Sequence, residues 1–492
     1  MTKMSVYLFT CALAALLFSA ATPGEAAGEH VWLLAASQAN LLIAQRTAPQ
    51  DDSKDLRRTD TRAIHEGDPK ELFLQVIDMI DRYYVRDVSI RSQLDSVWTR
   101  LQFGLLPECA ERNYGYPDCH TSAEKCFLDS LEELCRECHI DCNYLIDEAV
   151  RLLVAGLDAH SSLLDQGMLN ELKISTSGTF GGVGMVVASK NNRYVVVSAL
   201  DGSPAQKAGV KAGDVIVEID GKPVEGLPLP KVLSMVRGPS GSVMTVLVES
   251  PSHHRSRRIK LRRQTIRIAP VRSIMLSHGV GYIRIVNFQE DTSYELMRAL
   301  SRLAGQHGRP LKGIIIDVRD NPGGLFEEAI KTAGLLKTKG RLTSLKGRNP
   351  EITREFYSPL DAPLYEGSLV LLANKGSASG SEVLVGALQG APNVKVIGQR
   401  TFGKASVQGV FALPPALALR LTTAHYYTAD GRDIEGKGID PDVFFEEPGD
   451  RPTPRVGALK ASDIESDPMV KAALAYLLHG QLPRRSPFPS LF

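Results

Sequence analysis

One segment of the sequence combines serine residues with a local structure that could expose a nucleophile. Residues 370–382 read VLLANKGSASGSE, so an apolar run is followed by small residues and then by a helix start. A strand, a tight turn and a helix in this order present a side chain at the strand's carboxyl end. The first helical N–H groups point at that side chain and can stabilise a negatively charged oxygen there. Ser379 is therefore a candidate nucleophile, although serine-rich helix starts are also ordinary N-caps.

The next predicted strand is followed by a residue that could activate a serine. Residues 398–408 read GQRTFGKASVQ and place Lys404 among small and apolar residues. A serine hydroxyl is a poor nucleophile unless a neighbouring base takes its proton. A lysine can be that base when burial lowers its pKa enough to populate the neutral amine. Gln408, four residues further on, could hydrogen-bond that amine and orient it.

Together these segments resemble the carboxyl-terminal processing peptidases, or tail-specific proteases, which are PDZ-containing serine proteases with a Ser–Lys dyad. The separation between Ser379 and Lys404, 404 − 379 = 25 residues, matches the family's spacing. The resemblance implies that Ser379 is the nucleophile, Lys404 the general base and Gln408 the residue that orients the lysine. Gly380 stands where the family often has alanine, and its N–H is implied to be one oxyanion donor. The turn at residues 317–324 (DVRDNPGG) resembles the family's D-x-R-x-N-x-G-G turn, which implies that Gly324 supplies the second donor.

The resemblance extends over residues 72–478, including a late turn at residues 436–442 (GKGIDPD). It implies that residues 178–184 (GTFGGVG) form a PDZ loop in which Gly181, Gly182, Val183 and Gly184 bind a substrate's terminal carboxylate. A run of exposed amides suits a carboxylate, and the following strand could pair with an incoming tail. An ordinary glycine hairpin is the alternative. Arg237 matches a family arginine at the end of the second PDZ helix, which suggests that it couples tail binding to the protease.

Three other polar features receive structural interpretations. Residues 255–263 hold six basic side chains, but the alternation with Ile259 and Leu261 indicates the solvated face of a strand, not a nucleic-acid site. His253 and His254 are interpreted as a polar hairpin tip. His160 matches a family turn before the PDZ module, and a structural role is expected for it.

The surrounding pattern predicts an α/β protease core, ClpP/crotonase-like, with a small β-barrel PDZ domain and a helical N-terminal region. Apolar strands alternate with helices after residue 266, which indicates a mainly parallel sheet. Helical spacing is expected at residues 72–84 and 142–157, and a short helix at 31–44. The expected divisions are a signal peptide at 1–27, a polar linker at 28–69, a helical region at 70–165 with a Cys-rich insertion at 109–142, a PDZ domain at 174–262, the core at 263–450 and a C-terminal tail or helix at 451–492.

The start of the sequence and its cysteines indicate the compartment. A basic end, an apolar run at residues 6–21 and small residues after it predict a secretory signal peptide, with a membrane anchor as the alternative. If Cys11 is removed with that segment, six of the seven cysteines remain, all in one stretch, at Cys109, Cys119, Cys126, Cys135, Cys138 and Cys142. An even number in an exported protein favours disulfides. Zinc is the alternative, because Cys135 and Cys138 have ligand-like spacing and His120 and His139 stand nearby.

Composition adds little about partners. The 57 basic and 56 acidic residues give a net charge of +1, so no global field favours nucleic acid. We expect an exported endopeptidase, periplasmic or membrane-associated on the outer side of the inner membrane, acting on proteins with accessible apolar tails and needing no cofactor. A partner protein at the Cys-rich insertion and a homo-oligomer stay open. The alternatives are an inactive PDZ adaptor and a metal-dependent protein built around the cysteines.

Overall fold

A computed structural model describes residues 32–35, 67–104, 121–190, 193–200, 202–250, 255–307, 310–413, 416–446 and 460–480. The N-terminal part of this structure is helical. Its four helices are α1 (Pro69–Tyr83), α2 (Ile90–Gly104), α3 (Ala123–Cys138) and α4 (Cys142–Ala155). The sequence had predicted only the first and last of them, so α3 is a helix within the segment interpreted as a Cys-rich insertion. The residues outside the described part of the structure include the predicted signal peptide at 1–27 and Cys11, Cys109, Cys119, His120, His253 and His254.

Two described elements lie at the ends of the predicted linker, residues 28–69. The short helix expected at 31–44 is contradicted at residues 32–35, which form the strand β1 (Trp32–Ala35), whereas the rest of that segment lies outside the described residues. Helix α1 begins at Pro69. Asp68 caps α1 by accepting a hydrogen bond from the N–H of Lys70 at 2.9 Å. Pro69 at the first helical position supports the same helix start, because its ring presets a helical φ.

The helical region packs its apolar faces on each other and on the protease. Its buried core joins α1, α2, α3 and α4 to Phe411, Leu417, Leu419 and Leu421, which lie on two strands of the protease. Cys135 at the end of α3 and Cys142 at the start of α4 form a disulfide. Cys126 and Cys138 are also disulfide-bonded. The disulfide prediction is confirmed for these four cysteines, and a zinc site that uses them is excluded.

The PDZ region contains an antiparallel sheet ordered β4-β5-β6-β8-β9, with β7 paired to β6. A strand β2 (Ser162–Leu164) and helix α5 (Gln166–Ser177) lead into it. Its elements are β3 (Thr179–Gly182), β4 (Met185–Lys190), β5 (Arg193–Ala199), α6 (Pro204–Lys207), β6 (Val215–Ile219), β7 (Lys222–Pro223), α7 (Leu229–Val236), β8 (Val243–Ser250) and β9 (Arg255–Arg262). β10 (Gln264–Arg267) pairs back with β3, so this region extends past the expected boundary at 262.

The basic strand β9 is mostly exposed, as expected, but Arg263 directly after it is an exception. Its guanidinium is buried and donates to the carbonyls of Val236 and Met235, both at 2.9 Å. These are carbonyls of the last turn of α7, which a buried cation stabilises by satisfying acceptors that the helix leaves free.

The protease core contains a mainly parallel sheet, which confirms that prediction. Its order is β11-β12-β13-β16-β17-β20; β12, β13, β16, β17 and β20 run parallel, and β11 is antiparallel to β12. The strands are β11 (Val271–Met275), β12 (Val280–Ile285), β13 (Gly313–Asp317), β16 (Leu369–Ala373), β17 (Val394–Gly398) and β20 (Val443–Phe444). Helices α8 (Thr292–His307), α9 (Phe326–Leu336) and α10 (Gly380–Leu388) pack against it.

A second sheet in the core was not predicted. It has the order β1-β18-β19-β14-β15, with β2 paired to β19. Its long members are β18 (Ser406–Leu413) and β19 (Leu417–Tyr427), joined by β14 (Arg341–Gly347) and β15 (Arg354–Tyr357). One face of the parallel sheet packs towards this second sheet, and the other is covered by α11 (Ala461–Ser466) and α12 (Pro468–His479). None of the helices among the described residues is long and apolar enough to cross a bilayer.

Candidate active site

Three turns at the carboxyl edge of the parallel sheet meet at one place. They follow β13, β16 and β17, which are neighbours in the sheet, so their carboxyl ends lie side by side. The turn after β13 holds Gly324, the turn after β16 holds Ser379, and the turn after β17 holds Lys404. The structure therefore brings together the segments that the sequence had singled out separately.

The serine-rich turn leaves one hydroxyl without a partner. Ser377 donates to the carbonyl of Val318 at 2.8 Å, and Ser381 donates to the carbonyl of Asn321 at 2.9 Å. Both hydroxyls therefore fasten this turn to the turn after β13. Ser379 is fully buried, and its Oγ has no hydrogen-bond partner among the described residues. Of the three serines, Ser379 alone keeps a hydroxyl available for chemistry.

The backbone of Ser379 adopts an uncommon conformation. Its φ is 55° and its ψ is −113°, outside the regions that L-residues normally occupy. Such a conformation persists only where the surroundings impose it, and it is concentrated at functional sites. Here the surroundings include Gly323, at which an added Cβ would lie 2.8 Å from the Ser379 Cβ. The turn after β13 therefore touches the turn that holds Ser379 so closely that only glycine fits at position 323.

Two backbone N–H groups beside Ser379 have no acceptor among the described residues. They belong to Gly380, the first residue of α10, and to Gly324. Gly324 has a φ of +139°, and an added Cβ would come within 1.9 Å of the Phe288 carbonyl oxygen, so this position also requires glycine. At Gly380 an added Cβ would lie 3.0 Å from the Phe288 ring. Free N–H groups at a helix start beside a buried hydroxyl can receive a developing negative charge.

Lys404 is buried and its amine has no partner among the described residues. Its side chain follows β17 and precedes β18, and only 5% of the residue is exposed. Burial, and to a smaller extent the positive charge of Arg420, lower the pKa of Lys404 to about 7, although Glu435 and Asp158 act to raise it. A pKa this low gives a substantial fraction of neutral amine at neutral pH, as the sequence analysis required.

Glu382 and Tyr426 hold the Ser379 and Lys404 backbones together. The buried Glu382 carboxylate accepts from the N–H groups of Ser379 (2.8 Å) and Lys404 (2.9 Å). It also accepts from the N–H of Gly403 (2.7 Å) and the hydroxyl of Thr401 (2.5 Å). Burial raises the pKa of Glu382 above its usual value, although the hydrogen bonds from these four donors act to lower it. The Tyr426 hydroxyl lies 3.0 Å from the Ser379 carbonyl oxygen and 2.9 Å from the Lys404 carbonyl oxygen.

Sequence reasoning missed both of these clamping residues. Glu382 stands three residues after Ser379, which is the spacing of a capping box, and that pattern could have identified it. Tyr426 lies 47 residues from Ser379 on β19, where no local pattern connects the two. The Ser379 Oγ and Lys404 Nζ make no hydrogen bond to each other in this structure, although their main chains are joined through shared partners.

Gln408 lies on β18, four residues after Lys404, and is buried. Its Nε2 donates to the Thr422 hydroxyl on β19 at 3.3 Å. His160, predicted to be structural, accepts through its carbonyl oxygen from Arg420 at 3.1 Å. Burial lowers the pKa of the His160 imidazole to about 4, and the charge of Lys404 adds to this shift. The ring is therefore neutral at neutral pH.

The glycine segment of the PDZ region differs from the open loop expected from sequence. Gly181 and Gly182 lie in β3, paired with β10, and Gly182, Val183 and Gly184 are buried. The expectation of a run of exposed amides was therefore wrong, because β10 pairs with residues 179–182 and the 238–240 segment contacts Gly181. The Val183 and Gly184 N–H groups still donate to no described residue, and β4 beside them is an edge strand of its sheet.

Arg237, at the end of α7, contacts both the glycine segment and the connection to the protease. Its guanidinium lies 5.1 Å from the centroid of the Phe180 ring in β3 and makes an ion pair with Glu171 of α5. Helix α5 in turn contacts β2 and β19 of the second core sheet. The side chain is thus positioned between the PDZ region and the sheet that holds Gln408.

Comparison with known proteins gives the family. A model of peptidase family S41 matches residues 279–445, and a PDZ domain model matches residues 195–250. The carboxy-terminal-processing protease of Bartonella bacilliformis is 38% identical over 305 residues, which cover 62% of this chain and 70% of that protein. A probable CtpA-like serine protease of Staphylococcus aureus is 36% identical over 293 residues, 59% of this chain and 58% of that protein.

Among solved structures, the photosystem II D1 C-terminal processing protease is 28% identical, with a TM-score of 0.43 over 77% of this chain and 94% of that one. The match to the Bartonella protein shows the family of this chain, and both domain models agree with it. The chain belongs to the carboxy-terminal-processing protease family, within peptidase family S41, and is a serine peptidase with a PDZ domain.

Proposed function

We propose that the chain is an endopeptidase in which Ser379 is the nucleophile and Lys404 the general base. The main support is that Ser379 Oγ and Lys404 Nζ are both buried and unpartnered, on backbones that Glu382 and Tyr426 hold together. A buried polar atom without a partner costs free energy. The lack of partners on both atoms, which lie on adjoining turns, is best explained if they form a hydrogen bond to each other during the reaction. Catalytic hydrogen bonds are often absent before substrate binds.

The reaction proceeds in two halves. As Ser379 Oγ bonds to the scissile carbonyl carbon, its proton passes to Lys404 Nζ, and the N–H groups of Gly324 and Gly380 hold the oxyanion. Collapse breaks the carbon–nitrogen bond, and the lysine ammonium gives its proton to the leaving amine. Water then attacks the acyl-enzyme and gives a proton to Lys404. The bond between the carbonyl carbon and Ser379 Oγ breaks, the lysine ammonium returns the proton to Ser379 Oγ, and the carboxylic acid product leaves. Gln408 orients the lysine amine through both halves.

The PDZ region would select substrates by their C-terminal tails. An extended tail can pair with the free edge of β4, next to α7, while the unpaired N–H groups of Val183 and Gly184 receive its carboxylate. Gly181 and Gly182 shape this segment from within β3. Arg237 would couple tail binding between β4 and α7 to the protease core through its ion pair with Glu171 of α5. Accessible apolar tails are the expected substrates, because β4 and α7 offer apolar side chains.

A pair of substrates tests tail selection. The same peptide with an apolar C-terminus is offered with a free carboxylate and with an amide, and cleavage rates are compared. The free acid is expected to be cleaved faster, mainly through a lower KM, because only it places a negative charge on the free N–H groups. Binding of both peptides to Ser379→Ala separates recognition from chemistry. Equal affinities and equal rates would contradict tail selection.

The finer assignments of fold and compartment are part of the same proposal. We assign the core to the ClpP/crotonase-like class, the PDZ region to a small β-barrel, and residues 1–27 to a signal peptide of an exported enzyme. The disulfide between Cys135 and Cys142 supports an oxidising compartment. N-terminal sequencing of the protein recovered from the exported fraction tests this, since the mature chain is expected to begin near residue 28.

A further inference from the structure

Hydrogen bonds connect the side chains of Gln408, Thr422 and Asp158 in series. Gln408 Nε2 donates to the Thr422 hydroxyl at 3.3 Å, and the Thr422 hydroxyl donates to Asp158 Oδ1 at 3.2 Å. Gln408 and Thr422 face each other across β18 and β19, and both are buried. Asp158 lies in the turn between α4 and β2, so it comes from the helical N-terminal region, not from the core sheet.

Asp158 determines which group donates and which accepts in each hydrogen bond of this series. Asp158 accepts from the N–H groups of His160 (2.6 Å) and Ser161 (2.9 Å) and from the Ser161 hydroxyl (2.9 Å). Burial raises the pKa of Asp158, but these hydrogen bonds and the one from Thr422 lower it overall. The carboxylate is ionised at neutral pH and can only accept. Thr422 must therefore donate its single proton to Asp158 and accept from Gln408.

This polarity decides which end of the Gln408 amide is free. The NH2 group is committed to Thr422, and Oε1 accepts no hydrogen bond from the described residues. An amide oxygen can accept an N–H from Lys404 and leave the lysine lone pair available for the serine proton. An amide NH2 in the same place would instead donate to that lone pair and block the base. The orientation of one amide therefore determines whether the lysine can act.

We propose that Asp158 and Thr422 are positioning residues for this reaction, because they fix the Gln408 amide with its oxygen, and not its NH2 group, available to Lys404. The inference rests on the proposed roles of Ser379, Lys404 and Gln408 and extends them to the helical region. On this inference, the turn that contains Asp158 contributes to catalysis as well as joining α4 to β2. Neither Asp158 nor Thr422 makes a hydrogen bond to Ser379 Oγ or Lys404 Nζ.

A double-mutant cycle between Thr422→Val and Gln408→Ala tests this relay. Val has the shape of Thr without the hydroxyl, so it removes the relay with little change in volume. We expect Thr422→Val to lower kcat for a fluorogenic peptide with a free C-terminus by at least about 10-fold, with KM unchanged within about twofold. In the Gln408→Ala background the same substitution should change kcat by less than about twofold, because no amide is left to orient.

Thr422→Ser is the matched control, since it restores the hydroxyl, and it should recover most of the lost kcat. If Thr422→Val does not fold, Thr422→Ala enters the same cycle, because it also removes the hydroxyl that joins Gln408 to Asp158. The inference would be overturned if the fold-loss in kcat of the double variant equalled the product of the losses of Thr422→Val and Gln408→Ala. It would also be overturned if Thr422→Ser were as slow as Thr422→Val. An unchanged kcat in Gln408→Ala would instead refute the role proposed for Gln408 itself.

Discussion

The low pKa of Lys404 makes a quantitative prediction about the pH dependence of the reaction. An exposed lysine has a pKa of 10.5, whereas burial and Arg420 lower that of Lys404 to about 7. At pH 7 about half of the molecules would carry the neutral amine, against about one in 3,000 for an exposed lysine. We therefore expect kcat/KM to rise about 10-fold per pH unit below pH 7 and to level off above it. A fluorogenic peptide assayed between pH 5 and 9 measures this directly.

The same shift of the Lys404 pKa predicts that this lysine destabilises the fold. The unfolded chain keeps the Lys404 proton up to about pH 10.5, and the folded chain releases it near pH 7. Between these values the unfolded state binds more protons, so the lysine's penalty is full below pH 7 and disappears as the pH rises to 10.5. Lys404→Met should raise the free energy of unfolding by up to about 4 kcal/mol at pH 7, and by less at higher pH.

Denaturant unfolding at several pH values, beside the activity profile, checks both parts. Lys339→Met is the matched control, because the Lys339 side chain is 77% exposed and its removal should change stability by less than about 0.5 kcal/mol. The reasoning fails if kcat/KM is flat between pH 6 and 8 while the protein stays folded. It also fails if Lys404→Met is less stable than the wild type at every pH.

Two further substitutions test the surroundings of the site. Glu382→Gln replaces one of two acceptor oxygens by an NH2 group, so two of four buried donors lose their acceptor. We expect a loss of about 2 to 4 kcal/mol in stability and a fall in kcat of at least about 10-fold, measured by thermal unfolding and peptide cleavage; a wild-type kcat would contradict the clamp. Replacing Cys135 and Cys142 together by Ser removes the disulfide between α3 and α4 and should cost about 2 kcal/mol, measured by denaturant unfolding without reductant. Equal midpoints for the wild type and this double variant would show that the bond does not stabilise the helical region.

Local sequence pattern was sufficient for many elements. The mainly parallel sheet was predicted from the alternation of apolar strands and helices after residue 266, because strands such as β16 and β17 are short apolar runs followed by small or polar residues. The motif around Ser379 was recognisable for the same reason: the strand, the turn and the helix are consecutive in the chain. Where one short segment contains the whole physical requirement, the sequence is enough.

Contacts between distant segments were beyond such reasoning. Asp158 and Thr422 are separated by 264 residues, and nothing local in either segment indicates that a strand of the core meets a turn of the helical region. The second core sheet was missed because β18 and β19 are buried on both faces and lack the alternation that marks a half-exposed strand. The glycine segment was misread as open, since its partner β10 lies about 80 residues further along the chain.

The central claim is that Ser379 is the activated nucleophile and that Lys404 activates it. A serine-reactive phosphonate probe, followed by mass spectrometry of the digested protein, measures both halves of that claim at once. The account predicts one adduct, on Ser379, which forms at least about 100-fold more slowly in the folded Lys404→Met variant. An adduct on Ser377 or Ser381, or an equal labelling rate without the lysine, would contradict it.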